Sequence, residues 1–150
     1  MNSFSILSLA LILSFLLGCG PTALFSHVGQ TVNNAVYNSA EKNLNNSQKS
    51  RDAKAHEVAI TNMHLGVEYM RQGAYENALI KLERSLLAKS DYAPTYNVLG
   101  LLYQRLEDPI ESERNYKKSL SLDATNSSAH NNYGLLLCSN GRFDEAEVQF

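Results

Sequence analysis

Residues 1–40 contain no Asp, Glu, Lys or Arg, and every charged side chain lies between Glu41 and Phe150. The two ends of the chain therefore do different jobs. Nor is positive charge in surplus: 13 basic residues face 15 acidic ones, for a net charge of -2. That leaves no excess for gripping a phosphate backbone, which argues against nucleic acid as a partner. At 150 residues the chain is too short for a large multidomain enzyme. Catalytic and metal-binding patterns are missing as well. There is no Cys-x-x-Cys, no Gly-rich phosphate loop and no Gly-x-Ser-x-Gly, and the acidic cluster Asp144, Glu145 and Glu147 reads as a solvated helix face. His56-Glu57 starts a His-Glu-x-x-His pattern but has Ile60 where the second histidine belongs. With His27, His64 and His130 also scattered, the histidines read as packing or solvated residues. The expectation is a binding protein, with no enzyme activity, no small-molecule substrate, no metal and no cofactor.

What the uncharged end does hold is an apolar run. Fourteen residues from Phe4 to Leu17 are mostly Leu, Ile, Phe and Ala. As a helix they reach about 21 Å, short of the roughly 30 Å of a bilayer core. That length suits the apolar region of a secretory signal, followed by small residues, although no Lys or Arg precedes it. The run closes as Leu16-Leu17-Gly18-Cys19, which resembles the lipobox of bacterial lipoproteins. The resemblance implies that residues 1–18 are a removed signal peptide and that Cys19 is acylated. More than one acyl chain is needed for stable anchoring, and a triacylated cysteine supplies it. Gly20 is not the Asp that favours inner-membrane retention in such proteins, so the outer membrane, periplasmic face, is the expected location. With Cys19 modified, Cys138 has no partner in the chain and no disulfide is expected.

Residues 19–53 are rich in Asn, Ser, Gln and Gly, a composition that buries too little apolar surface to offset ordering entropy. They read as a flexible tether. Phe25, Val28, Val32 and Val36 recur at three- and four-residue spacing, which leaves a short amphipathic helix as the alternative.

From residue 54 the sequence becomes charged and periodic. Gly66, Gly100 and Gly134 are spaced by 34 residues, preceded by Leu65, Leu99 and Tyr133 and followed three residues on by Tyr69, Tyr103 and Leu137. Small residues return at Ala78, Ser112 and Ala146, and large ones at Leu82, Tyr116 and Phe150. Between these halves stand breakers: Gln72-Gly73, Glu107-Asp108-Pro109 and Asn140-Gly141. This pattern resembles the tetratricopeptide repeat, a 34-residue unit of helix, turn and helix. The resemblance implies an all-α solenoid with units at 59–92, 93–126 and an incomplete 127–150. Its signature residues, Leu65, Gly66, Tyr69, Ala78, Leu99, Gly100, Tyr103, Ser112, Tyr133, Gly134 and Ala146, are expected to pack helix on helix. Pro94 and Pro109 fall in first helical turns, where a missing N–H costs nothing, while Ser90 and Ala124 stand where the repeat commonly has proline. Phe150 falls inside the second helix of the third unit, so a fragment is expected, with Leu135, Phe143 and Phe150 less covered than their counterparts.

In such a stack the first helices line the concave side and present positions 2, 5, 9, 12 and 13 of each unit. The candidate protein-binding groove is therefore Met63, Val67, Met70 and Arg71 in the first unit, Asn97, Leu101, Gln104 and Arg105 in the second, and Asn131 and Leu135 in the third. Methionines give adaptable apolar contacts, the amides can bond a peptide backbone, and the arginines can take carboxylates. The Lys/Asn clamp of chaperone-binding repeats is absent.

The run from Asn131-Asn132-Tyr133-Gly134 through Cys138 to Ala146, behind a lipobox, resembles the type IV pilus biogenesis and stability lipoproteins, the PilF/PilW pilotin family. That resemblance implies an outer-membrane lipoprotein whose repeats bind the pilus secretin and promote its localisation or multimerisation. Family members carry more repeats. Two alternatives stay open: a periplasmic scaffold regulating a peptidoglycan enzyme, and the adaptor end of a longer enzyme.

Overall fold

Three chain reversals recur at the same register position. The central residues are Gly73, Glu107 and Gly141, with φ of 75°, 60° and 74°. At each, the next N–H bonds back five residues: Ala74 to the Tyr69 carbonyl, Asp108 to Tyr103 and Arg142 to Leu137, each at 2.9 Å. This is the left-handed helix stop that glycine adopts without strain, and Glu107 adopts it at a cost. The breakers read from the sequence thus sit where helices end.

The computed structural model describes residues 21–150. The expected signal peptide, 1–18, and the expected lipidated Cys19 lie outside the described residues. Every element among the described residues is helical: α1 (Pro21–Arg71), α2 (Tyr75–Ala88), α3 (Ala93–Arg105), α4 (Pro109–Leu122), α5 (Ser127–Ser139) and α6 (Phe143–Glu147). Local chemistry sets several of the ends. Pro94 and Pro109 lie in first turns. The Asp108 side chain accepts from the Glu111 N–H at 3.1 Å and Asn126 from the Ala129 N–H at 3.0 Å, each satisfying a donor with no intrahelical partner.

The chain divides into two units, 1–49 and 50–150. Within the second, α2, α3, α4, α5 and α6 and the end of α1 form the all-α tetratricopeptide-repeat solenoid. The glycines act as spacers. A Cβ on Gly66 would stand 2.7 Å from Leu82 Cδ2, on Gly100 2.6 Å from two ring carbons of Tyr116, and on Gly134 2.6 Å from Phe150 Cζ. All are far inside the usual 3.5–4.0 Å carbon contact, so each glycine lets a first helix meet the large residue of its second helix. Ala78, Ser112 and Ala146 are buried on the facing helix. Tyr116 and Leu82 are fully buried, each contributing roughly 1.5–3 kcal/mol. Tyr69 and Tyr103 pack partly buried against the cluster of Met63, Ala78, Leu82, Leu99 and Leu102.

Serine adds a polar stitch. Ser85 Oγ donates to the Ala59 carbonyl at 2.8 Å and Ser119 Oγ to the Ala93 carbonyl at 2.9 Å, closing each unit from the end of its second helix to the start of its first. Ser112 Oγ likewise donates to the Gly100 carbonyl at 2.8 Å, so this small residue is also a hydrogen-bond donor.

Leu65 is 42% exposed while Leu99 and Tyr133 are 6% and 5% exposed. Leu99 packs on Ala78 and Leu82 of the preceding unit and Tyr133 on Tyr116 of its own predecessor. The described residues place no helix pair before Leu65, so it does not take part in the packing its register implied. Leu135, Phe143 and Phe150 are 52%, 67% and 71% exposed. The expected flexible tether is helical from Pro21 onward. Composition correctly anticipates that its described side chains from 34 to 54 are exposed. It says nothing about the backbone, which meets no proline between Pro21 and Arg71 to interrupt the local hydrogen bonds.

Candidate functional site

The last turns of α1 and α3 carry the same face one repeat apart. Val67, Met70 and Arg71 from α1 and Leu101 and Arg105 from α3 surround one open cleft of about 550 Å³, closed by Gly73 and Tyr75 at the reversal into α2. The floor is apolar, with Val67 and Met70 partly buried against the core. Its rim is cationic. Arg71 pairs with Glu68 at 3.8 Å, an exposed contact with 76% and 57% of the side chains open to solvent; such pairs are worth little. Arg105 is exposed, and no hydrogen bond or ion pair engages it among the described residues. Both arginines stand where a helix C-terminus favours a cation, and both keep guanidinium donors for a carboxylate.

Five of the ten groove residues expected from the sequence thus meet around one cleft. The other five are placed differently. Met63 is 9% exposed and belongs to the core with Leu82 and Leu102, so it fills the space between helices instead of facing a partner. Asn97 Oδ1 accepts from Asn132 Nδ2 at 3.1 Å, joining neighbouring first helices. Gln104 Oε1 accepts from the Tyr116 hydroxyl at 3.1 Å and lines a separate hollow with Leu136 and Ser139. Asn131 lines a third hollow with His130 and Phe150, and Leu135 is exposed. Tyr75 and Gly73 were missed because they sit in the reversal and the second helix, outside the first-helix positions considered.

His56, His130 and Cys138 make structural contacts, while His64 is exposed. His56 meets the Tyr92 ring edge-on at 5.2 Å. The two ring nitrogens of His130 lie 2.9 Å from Gln149 Oε1 and 3.2 Å from the Ala124 carbonyl. Cys138 packs, half buried, against the cluster of Tyr116, Tyr133 and Leu137. Among the described residues no three His, Cys, Asp or Glu side chains gather as a metal site.

A charged node holds the second and third repeats together. Arg142 Nη1 donates to Glu113 Oε2 at 2.6 Å; Lys117 Nζ at 2.6 Å and the Tyr133 hydroxyl at 2.9 Å both reach Oε1. The Arg142 guanidinium first, then Lys117 and Tyr133, hold the Glu113 carboxyl down to about 2 against the partial burial that opposes them. Burial pushes the Tyr116 phenol up to about 12, keeping it a hydrogen-bond donor.

Tetratricopeptide-repeat family models match residues 93–126 and 115–148. Among curated proteins, the type IV pilus assembly protein PilF of Pseudomonas aeruginosa is 29% identical over 108 residues, covering 72% of this chain and 41% of PilF. An uncharacterized protein of Haemophilus influenzae is 27% identical over 104 residues, covering 69% of this chain and 58% of that protein. Human protein O-mannosyl-transferase TMTC2 is 36% identical over 105 residues, but the match spans only 13% of it. The chain therefore spans less than two thirds of the length of each of these relatives. Among solved structures, Pseudomonas aeruginosa PilF superposes with a TM-score of 0.62 at 27% identity, over 64% of this chain and 43% of that one. PilW, a type IV pilus biogenesis factor, superposes with a TM-score of 0.59 at 26% identity, over 61% and 42%. Repeats of this kind are generally protein-interaction modules; this chain matches them between residues 93 and 148 and is similar in sequence and in fold to the type IV pilus biogenesis proteins PilF and PilW.

Proposed function

We propose that this chain is an outer-membrane lipoprotein adaptor for type IV pilus biogenesis, binding the pilus secretin through its repeat groove and promoting its localisation or multimerisation. The observation that carries the reading is the open, apolar, arginine-rimmed cleft formed by Val67, Met70, Arg71, Leu101 and Arg105, on a chain similar to PilF and PilW. The lipobox at Cys19 supplies the anchor in this proposal. Confining the groove to the membrane raises its effective concentration toward a membrane-destined subunit without any added contact.

The test is an outer-membrane blot for detergent-resistant secretin multimers, in cells with the gene, without it, and with a Cys19→Ala copy. Loss of multimers on deletion supports the adaptor role, and mislocalised multimers with Cys19→Ala support the anchor. Unchanged multimers with pili intact on deletion would overturn the reading and favour a scaffold for an envelope enzyme.

A further inference from the structure

The cleft between α1 and α3 has an ordered chemistry that says what it takes. Arg71 and Arg105 occupy the same register position one repeat apart, as do Val67 and Leu101. Packed helices lie 8–10 Å apart, so the two guanidiniums are anchored about one helix spacing from each other, with an apolar strip running beside them. In the third unit the position matching these arginines is Ser139 and the one matching Leu101 is Leu135, which is 52% exposed. Positive charge is thus confined to one end of the groove while the apolar strip continues.

We propose that this cleft recognises an extended acidic-apolar segment of a protein partner, with two carboxylates three residues apart bridging Arg71 and Arg105 and apolar side chains on Val67, Met70 and Leu101. This rests on the groove being the partner-binding face of the proposed adaptor. The spacing follows from geometry. An extended left-handed chain of three residues per turn returns to the same face every third residue after about 9 Å, which matches the helix spacing. A planar guanidinium takes a carboxylate through two parallel hydrogen bonds, so two of them select acidic side chains over amides. Arg71 exchanges only a weak exposed pair with Glu68 to do so, and Arg105 gives up nothing.

The measurement is fluorescence anisotropy of the full chain in detergent, using the labelled peptide Ser-Glu-Leu-Leu-Glu-Leu-Ser and its counterparts with both glutamates replaced by glutamine or by lysine. The acidic peptide is expected to bind at least about tenfold more tightly than the glutamine one, a difference of about 1.4 kcal/mol, and to weaken with added salt. Arg71→Glu with Arg105→Glu should remove that preference and turn it toward the lysine peptide. Both side chains are exposed, so the circular dichroism of the double variant should match the parent, and gain of lysine-peptide binding shows that the variant is folded. Equal affinity for the acidic and glutamine peptides, no binding of the acidic peptide, or binding indifferent to both substitutions would overturn the proposal. No pilus component enters this titration, so its failure is separate from failure of the secretin blot.

Discussion

The three spacer glycines make one substitution carry opposite signs in one molecule. Replacing a helical glycine by alanine gains about 1 kcal/mol of helix propensity wherever the new methyl fits. At Gly100 it does not fit: the methyl would lie 2.6 Å from Cδ1 and Cε1 and 2.9 Å from Cγ of Tyr116. That ring is fully buried, packed at a tilt with its centroid 6.3 Å from that of Tyr133, and fixed by its hydroxyl to Gln104. It has nowhere to go. Overpacking of this kind costs about 1–3 kcal/mol, and three ring atoms inside 3.0 Å put Gly100→Ala near the top, for a net loss of about 2 kcal/mol. At Gly134 the obstructing atoms are the far end of Phe150, whose side chain is 71% exposed and can swing into solvent. Gly134→Ala should keep most of its propensity gain, up to about 1 kcal/mol of added stability. Gly66→Ala, against the buried Leu82 branch, should fall between. Urea unfolding followed by far-ultraviolet circular dichroism gives the three midpoints with unchanged slope. Should Gly100→Ala and Gly134→Ala move the midpoint in the same direction by similar amounts, close helix approach is not what the glycines provide.

Other perturbations test other parts. Because the Glu113 carboxyl is held below its ordinary value of 4.5, at about 2, its stabilisation is full above pH 4.5 and is lost as pH falls from there toward 2. Discounted for solvent screening it amounts to about 2 kcal/mol, so Glu113→Gln should lower stability at neutral pH by about that much and flatten the acid limb of a stability–pH curve. Glu107→Gly removes left-handed strain at φ 60° and should raise the unfolding free energy by about 1 kcal/mol, read as a higher urea midpoint; a lowered midpoint would contradict the strain argument. Ser119→Ala removes the buried bond to the Ala93 carbonyl and should cost about 1 kcal/mol, detectable as a lower melting temperature. Leu101→Asp, on the cleft floor, should abolish acidic-peptide binding in the anisotropy titration, and retained binding would place the ligand elsewhere.

What could be read from sequence was whatever depends on period and on local backbone chemistry. Gly66, Gly100 and Gly134 at one spacing gave the repeat, and the Gly73, Asp108-Pro109 and Gly141 breakers gave the helix ends. The concave positions followed from register, which is why Val67, Met70, Arg71, Leu101 and Arg105 converge. Register alone could not say how deep a position lies. Met63 shares the groove's face, yet it points between helices where Leu82 and Leu102 leave room for it. Contacts between distant residues were likewise invisible: Glu113 and Arg142 meet only because the third repeat stacks on the second. Ser85 and Ser119 did carry a signal, two serines 34 residues apart, but only the fold shows which carbonyl each one reaches. The helix reaching back to Pro21 differs from the expected tether because a propensity for burial and a propensity for backbone order are separate properties.

The spacer glycines also separate shape from taste. They face Leu82, Tyr116 and Phe150 in turn, three side chains of different size meeting the same bare backbone, so the gap between paired helices is dictated by what the glycine lacks. The two arginines that colour the cleft rim are exposed instead. Mutation can therefore rewrite Arg71 and Arg105 without disturbing the paired helices, and a drifting lineage of such proteins can change clients while every repeat still stacks on the next.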